Sequence, residues 1–377
     1  MLTVQLFNQP FRKVQTQLKR LRRLGASHVL VSPPQLSHSS ASWWGRYQPV
    51  DFTRIEGPLG DAGDLHGLCR AAREQGLAIV VDAVLHHLSN ESRYIRMRGN
   101  RILSAQYPYF SARDLAGVHR LGRGRGLPIL DTSSAWVRSQ LREYLRRLYD
   151  LGVRGFRFDS AKHMNPHLFP ELLAGLPPML HFGELVYGSP DDFPPAYWAS
   201  MRAYDFPLAA AMRSAFAPGG DLGSLLSPRA LWGPHSVPFV NHHDLVKNRS
   251  GFSAFRVADG LDRRLAYAYM LARGEGAPLV YGGDLRYAEV KAGMEFHRQT
   301  AGLAVRPVAA NRTVLALVRG GTALLGINKG GNAHALSVEM LPGVYRDLVH
   351  GWKAATVHGR LHWSLPPRSA CLLVADA

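Results

Sequence analysis

The strongest constraint on this chain is a rhythm: short apolar runs that end in polar clusters alternate with segments of helical period. "VQLF" (4–7) precedes the basic stretch "RKVQTQLKRLRRLG" (12–25), and "SHVLVSPP" (27–34) follows it. "DLHGLCRAAREQG" (64–76) then leads into "LAIVVDAVLHH" (77–87). In "SAWVRSQLREYLRRLYDLG" (134–152), Val137, Leu141, Tyr144, Leu145 and Leu148 recur at helical spacing before "VRGFRFD" (153–159). The runs "PMLHFGEL" (178–185), "SVPFVNHHD" (236–244) and "APLVYGGD" (277–284) continue the series. Strand and helix in alternation imply a parallel sheet. About eight such units predict an α/β fold, a (β/α)8 TIM barrel, over an open sheet.

Two stretches break the rhythm. From residue 88 to 131 no period is sustained, which predicts a short lobe inserted after the third strand and large enough to shape a site. From residue 306 onward, "TVLALVRGGTALLGINKGG" (313–331) reads as a hairpin around Gly320 and Gly321, and "RLHWSLPPRSACLLVAD" (360–376) alternates like further strands. The expected organisation is a barrel over 1–87 and 132–305, a lobe over 88–131, and a C-terminal antiparallel β-sandwich over 306–377.

The charge of +17 raises the question of a polyanionic partner. The arginines are dispersed, however. Their densest cluster also carries Val14, Leu18, Leu21 and Leu24 at helical spacing, as an amphipathic helix with a solvated basic face does. Zinc-finger spacing, an RNA-binding aromatic signature and a phosphate-binding glycine loop are all missing, so no nucleic-acid partner is expected. No apolar run is long enough to cross a bilayer, so no membrane partner is expected either. The first residues, "MLTVQLFNQPF", lack the layout of a secretory signal. The expected location is therefore the cytoplasm, or a secreted or periplasmic one if a leader has been removed. Two distant cysteines, Cys69 and Cys371, give no basis for a disulfide framework.

Chemistry is concentrated at the run ends. In a TIM barrel the active site forms at the C-terminal ends of the strands, and four runs finish in polar clusters: Asp82 to His87, Arg157 to His163, Glu184, and His243 with Asp244. A lone acid there reads as a cap or turn residue, but four clusters in register point to a site. In "GFRFD" the alternation sends Phe156 and Phe158 to one face, against the helices. It sends Arg157 and Asp159 to the other, toward the barrel axis, where the guanidinium favours the charged form of the carboxylate.

These motifs resemble those of the α-amylase family, glycoside hydrolase family 13, over nearly the whole chain. "DAVLHH" (82–87), "GFRFDSAKH" (155–163), "GELV" (183–186) and "FVNHHD" (239–244) are similar to its four short motifs, in the family's order. "WWGRYQPVDF" (43–52) and "GLPILDTSSAWVR" (126–138) are similar to two flanking segments. The resemblance implies a retaining glycoside hydrolase acting on α-1,4-linked glucans such as starch or maltooligosaccharides. Asp159 is then the nucleophile, Glu184 the general acid/base with a raised pKa, and Asp244 the transition-state stabiliser. It further implies sugar contacts from Tyr47, His87, Arg157, Lys162, His163 and His243, with Asp82 supporting Arg157 from behind. Trp43 and Trp44 are candidates for a sugar platform or for core packing.

Three departures bear on cofactors. His86 stands where relatives place a calcium-binding Asn, and Ile129 where they place a second calcium-binding carboxylate. Calcium takes hard oxygen ligands, so neither a metal nor any other cofactor is expected. His242 replaces an Asn that helps chloride-activated relatives hold the anion, which argues against chloride dependence. The expected partner is an α-glucan and the expected state a monomer. Two alternatives remain open: a 4-α-glucanotransferase using the same intermediate, and a non-catalytic glycan-binding protein.

Overall fold

The computed structural model describes residues 1–89, 91–92 and 127–376, so most of the expected 88–131 lobe lies outside the described residues. Eight parallel strands form the barrel: β1 (Thr3–Leu6), β2 (His28–Val31), β3 (Ala78–Ala83), β4 (Gly155–Phe158), β5 (Leu180–Gly183), β6 (Arg202–Tyr204), β7 (Ser236–Val237) and β8 (Leu279–Tyr281). From β1 to β7 each pairs with the next in chain order, and β8 pairs with β1. The last gap is joined just beyond β7 by a parallel bridge between Phe239 and Leu279.

Helices pack around this ring: α1 (Phe11–Gln15), α2 (Leu18–Arg23), α3 (Ala62–Glu74), α4 (Ala135–Asp150), α5 (Leu168–Leu173), α6 (Phe206–Phe216), α7 (His243–Lys247), α8 (Leu261–Ala272) and α9 (Ala288–Gln299). The apolar stripe read from sequence on α4 is buried at all five positions. Ser134 caps that helix, its hydroxyl accepting from the Val137 N–H. The basic segment expected as one helix is two. Thr16 Oγ1 donates back to the Lys13 carbonyl between them, a local bond that competes with helix propagation. Its inward residues Val14, Leu18 and Leu21 are buried nonetheless.

β4 enters the ring through a close approach. A Cβ on Gly155 would stand 2.4 Å from the Leu180 carbonyl, so only glycine lets β4 and β5 pair at that point. Phe156 and Phe158 then face outward and are fully buried, Phe158 against Phe169 of α5 at 5.0 Å between ring centroids. Burial of such a ring contributes about 1.5–3 kcal/mol. Arg157, between them, is forced to the barrel axis.

The C-terminal strands are antiparallel: β9 (Val305–Ala310), β10 (Val314–Arg319), β11 (Ala323–Asn328), β12 (His334–Glu339), β13 (Val344–Asp347), β14 (Lys353–Val357), β15 (Arg360–Leu365) and β16 (Ser369–Ala375). Their order is β9-β10-β11-β16-β13-β14-β15-β12. Strands from both ends of that order share one core, which includes Val314, Ala316 and Val318 of β10, Leu336 of β12, and Leu361 and Trp363 of β15. The hairpin expected at Gly320 and Gly321 is present, both residues at positive φ. Arg319 and Lys329 are among the cations that fasten this sheet to the barrel helices. Arg319 donates to the carbonyls of Ala272, Thr300 and Leu303 at or just past the ends of α8 and α9, and Lys329 to those of Ala215, Ala217 and Gly220 in and after the last turn of α6. Cations suit helix C-termini, and these two account for a small part of the positive excess.

Candidate active site

The strand ends deliver their polar clusters to one mouth. Arg157 is wholly buried at its centre and addresses four carboxylates. Its Nη1 donates to Asp82 Oδ1 at 2.8 Å and to Asp159 Oδ1 at 2.7 Å. Its Nη2 lies 3.1 Å from Glu184 Oε2 and 3.6 Å from Asp244 Oδ2. The register explains the meeting, since Asp82 on β3 and Phe182 on β5 flank Arg157 on β4, and Glu184 follows one residue after β5. A charge removed from water needs such partners, and removing one leaves the others uncompensated.

Ser160 ties two of the acids together. Its hydroxyl donates to Asp159 Oδ2 at 2.9 Å and its backbone N–H to Glu184 Oε2 at 2.9 Å. It does so from a left-handed backbone conformation, φ 51°, a strained placement for a residue with a side chain. Burial above all raises the Glu184 pKa, and with Arg157 lowering it and Asp244 and Asp159 raising it the result is about 8. Asp244 moves the other way. Burial opposes its charge, but the contacts of its carboxylate with His243 and His242 and the positive charge of Arg157 outweigh burial and hold its pKa below the ordinary range. Burial also pushes Asp82 up to about 7 against the pull of Arg157. Carboxyls in contact with one arginine thus sit in unlike environments.

A cavity of about 300 Å³ opens over these groups. Of the residues singled out in the sequence, Tyr47, His87, Asp159, Lys162, His163, Glu184 and Asp244 line it, together with Trp43 and Trp44. Arg157, Asp82 and His243 lie behind the lining, each no more than 1% exposed. Tyr47 donates its hydroxyl to Asp82 Oδ2 at 2.8 Å, and its carbonyl stands 2.8 Å from His87 Nε2. Lys162 donates to the Val186 carbonyl and lies 4.3 Å from the Tyr187 ring centroid. Residues the sequence reading missed are Ser160, Asn248 and Gln5. Asn248 donates to Asp244 Oδ1 at 3.3 Å, and Gln5 holds His243. Gln5 carried a usable signal as the one polar residue inside "VQLF".

The place expected to lack calcium is built from His86, His87 and residues 127–130. His87 pairs with Ile129, and the Leu130 N–H donates to the His86 carbonyl. His86 and Ile129 are both buried, and burial lowers the His86 pKa to about 3. A neutral imidazole and an aliphatic chain do not fit the hard-oxygen set of calcium. Among the described residues the ligand atoms of His242, His243 and Asp244 do lie within 4.8 Å of one another. Arg157 beside Asp244 makes that group a poor cation site.

A nearly closed barrel with carboxyls gathered at its C-terminal mouth suits the chemistry of a glycoside hydrolase, the class to which the relatives of this chain belong. The comparisons with known proteins agree. Residues 11–120 match the family model described as alpha amylase, catalytic domain. An alpha-amylase of Aeromonas hydrophila is 32% identical over 391 aligned positions, covering 86% of this chain and 83% of the relative. One from Streptomyces violaceus is 30% identical, covering 70% of this chain and 49% of the relative. Among solved structures, alpha-amylase I from Eisenia fetida superposes with a TM-score of 0.84 at 18% identity, covering 100% of this chain and 97% of that one. A variant of that enzyme, in a structure titled as a maltohexaose complex, superposes with a TM-score of 0.83, also at 18% identity and with the same coverage. The chain belongs to the α-amylase family, glycoside hydrolase family 13.

Proposed function

We propose that this protein is a retaining hydrolase of α-1,4-glucosidic bonds in starch or maltooligosaccharides, with Asp159 as nucleophile, Glu184 as general acid/base and Asp244 as stabiliser of the transition state. The observation that carries the reading is the division between Glu184, whose pKa is raised to about 8, and Asp244, whose pKa is depressed, around one buried arginine. Glu184 holds a proton at neutral pH and gives it to the leaving glycosidic oxygen. Asp159 attacks the anomeric carbon as the C–O bond breaks, forming a glycosyl ester. Glu184, now a carboxylate, takes a proton from water as the water displaces Asp159 and restores the α-anomer.

Asp159 and Glu184 each accept a hydrogen bond from Ser160 and each contact Arg157. That supports the short spacing of a retaining pair, about 5 to 5.5 Å, over the roughly 6.5–9.5 Å of an inverting one. The aromatic lining at Trp43, Trp44 and Tyr47 suits the apolar faces of glucose rings. The maltohexaose named for the Eisenia fetida structure supports the same substrate class. His86 and Ile129 support catalysis without calcium at that place.

The test is activity on soluble starch and maltoheptaose after chelator treatment, with the anomeric form of new reducing ends followed by NMR, for wild type and Asp159→Asn. α-Anomeric products, lost in the variant and indifferent to chelator, are expected. Chain-length redistribution without new reducing ends would make the enzyme a transferase, and silence on both substrates would overturn the reading.

A further inference from the structure

Gln5 lies at the third position of β1 and is 2% exposed, with Val4 and Leu6 packed into the apolar core on either side. Its amide grips His243 twice. Oε1 accepts the His243 backbone N–H at 3.0 Å, and Nε2 stands 2.8 Å from the ring Nδ1. These contacts decide the protonation pattern. A backbone N–H can only donate, so the amide oxygen must face it, and the NH2 group is thereby turned to the ring. An NH2 group offers only hydrogens, so Nδ1 must be the bare nitrogen, and the hydrogen of the neutral imidazole sits on Nε2. Nε2 is 3.1 Å from Asp244 Oδ2, close but without hydrogen-bond geometry, so the ring edge beside the carboxylate carries an N–H rather than a lone pair.

We propose that Gln5 is a positioning residue of the active site: its amide fixes the Nε2–H tautomer of His243 and thereby the local charge beside Asp244. The inference rests on the role given to Asp244 above. The ring is also held in place by near-parallel contacts with Phe7 and Tyr47, at 4.6 and 5.2 Å between centroids. The charged and titratable groups around it are Asp244, His242 (5.7 Å between rings), Arg157 and Tyr47. Burial lowers the His243 pKa to about 3, in keeping with a neutral ring throughout the working pH range. A protonated Nδ1 would set two hydrogens against each other at the Gln5 contact, and a Nδ1–H tautomer would in addition turn the Nε2 lone pair toward a carboxylate.

The test is NMR of the full chain labelled with 15N-histidine, without substrate, the His243 signals assigned by their loss in His243→Gln. Gln5→Met and Gln5→Glu are compared with wild type. In wild type His243 should read as Nε2–H with Nδ1 bare across neutral pH. Gln5→Met removes the amide at similar volume. It should blur that signature and lower kcat on maltoheptaose roughly 10–100-fold, the usual effect of losing a residue that orients an active-site group, with little change in KM. Gln5→Glu offers an acceptor to Nδ1, so both ring nitrogens should read as protonated at neutral pH and the pH profile of kcat should change shape. A wild-type signature in both variants, or a kcat loss that tracks melting temperature while the signature persists, would overturn the proposal. Because the spectra need no substrate, a wild-type enzyme inactive on glucans would sink the functional reading and still leave the Gln5 test standing.

Discussion

Asp82 and Asp159 accept hydrogen bonds from the same nitrogen of Arg157, at 2.8 and 2.7 Å. Asp159 lines the cavity and Asp82 is buried behind it, so Asp82 acts on substrate only through the arginine and through Tyr47. Asp82→Asn keeps the shape but removes the carboxyl group that faces Arg157, and with it the negative charge it can carry. Loss of such a supporting partner should lower kcat about 10–100-fold while KM stays within a few-fold. Steady-state kinetics on maltoheptaose checks the split, and an equal loss through KM alone would assign Asp82 to binding.

Glu184 gives a pH prediction with a definite sign. Its proton is needed for departure of the leaving group, and its pKa is raised to about 8, so kcat/KM should fall as pH rises through that value. The same shift acts on stability. A carboxyl that holds its proton more tightly when folded favours the fold at low pH, and that contribution is lost as pH rises from the ordinary carboxyl range through about 8. Glu184→Gln has no proton to lose. It should be inactive, match wild type in melting temperature near pH 4, and exceed it by about 2–5 °C at pH 9. Melting curves across pH check this, and a gap that closes toward alkaline pH would reverse the argument.

Arg319 predicts a stability effect far from the chemistry. Its guanidinium is 2% exposed and satisfies the carbonyls of Ala272, Thr300 and Leu303. Arg319→Met preserves most of the volume and strands those carbonyls, so unfolding free energy should drop by about 2–4 kcal/mol. Urea unfolding checks the size, and kcat of the folded variant should stay at the wild-type value because no contact of Arg319 reaches the mouth.

Much of this was legible in the chain because barrel strands and their ends obey short-range rules. The alternation in "GFRFD" alone placed two phenylalanines outward and Arg157 with Asp159 on the axis, and the acids marked the strand ends. What escaped had weak local signals. β6 is three residues long and starts at Arg202, so it presents no apolar run, and only its pairing with β5 and β7 marks it as a strand. The break between α1 and α2 falls at Thr16, whose hydroxyl bonds the Lys13 carbonyl, a local contact no apolar period announces. Ser160 and Asn248 act through backbone conformation and contacts between distant segments, which no spacing rule reports. Gln5 was readable as a polar residue inside an apolar strand, yet its partner lies 238 positions away.

The calcium question can be settled by restoring ligands. His86 and Ile129 lie on two short segments that pair antiparallel, His87 opposite Ile129, so side chains placed at 86 and 129 are held by backbone contacts already present. In the wild type these positions supply an imidazole and an aliphatic chain, and calcium gains little from either. Millimolar calcium should therefore leave the wild-type melting temperature within about 1 °C, whereas a ligand that binds only the folded state raises it in proportion to saturation. The pair His86→Asn with Ile129→Asp returns an amide oxygen and a carboxylate. Alone, the buried aspartate should destabilise the protein, since a charge taken from water without a partner is costly. With calcium, the double variant should recover that loss and show a saturable rise in melting temperature that chelator reverses. A saturable rise in the wild type would mean that oxygen ligands elsewhere in the chain suffice for calcium, and the reading of His86 and Ile129 would fall.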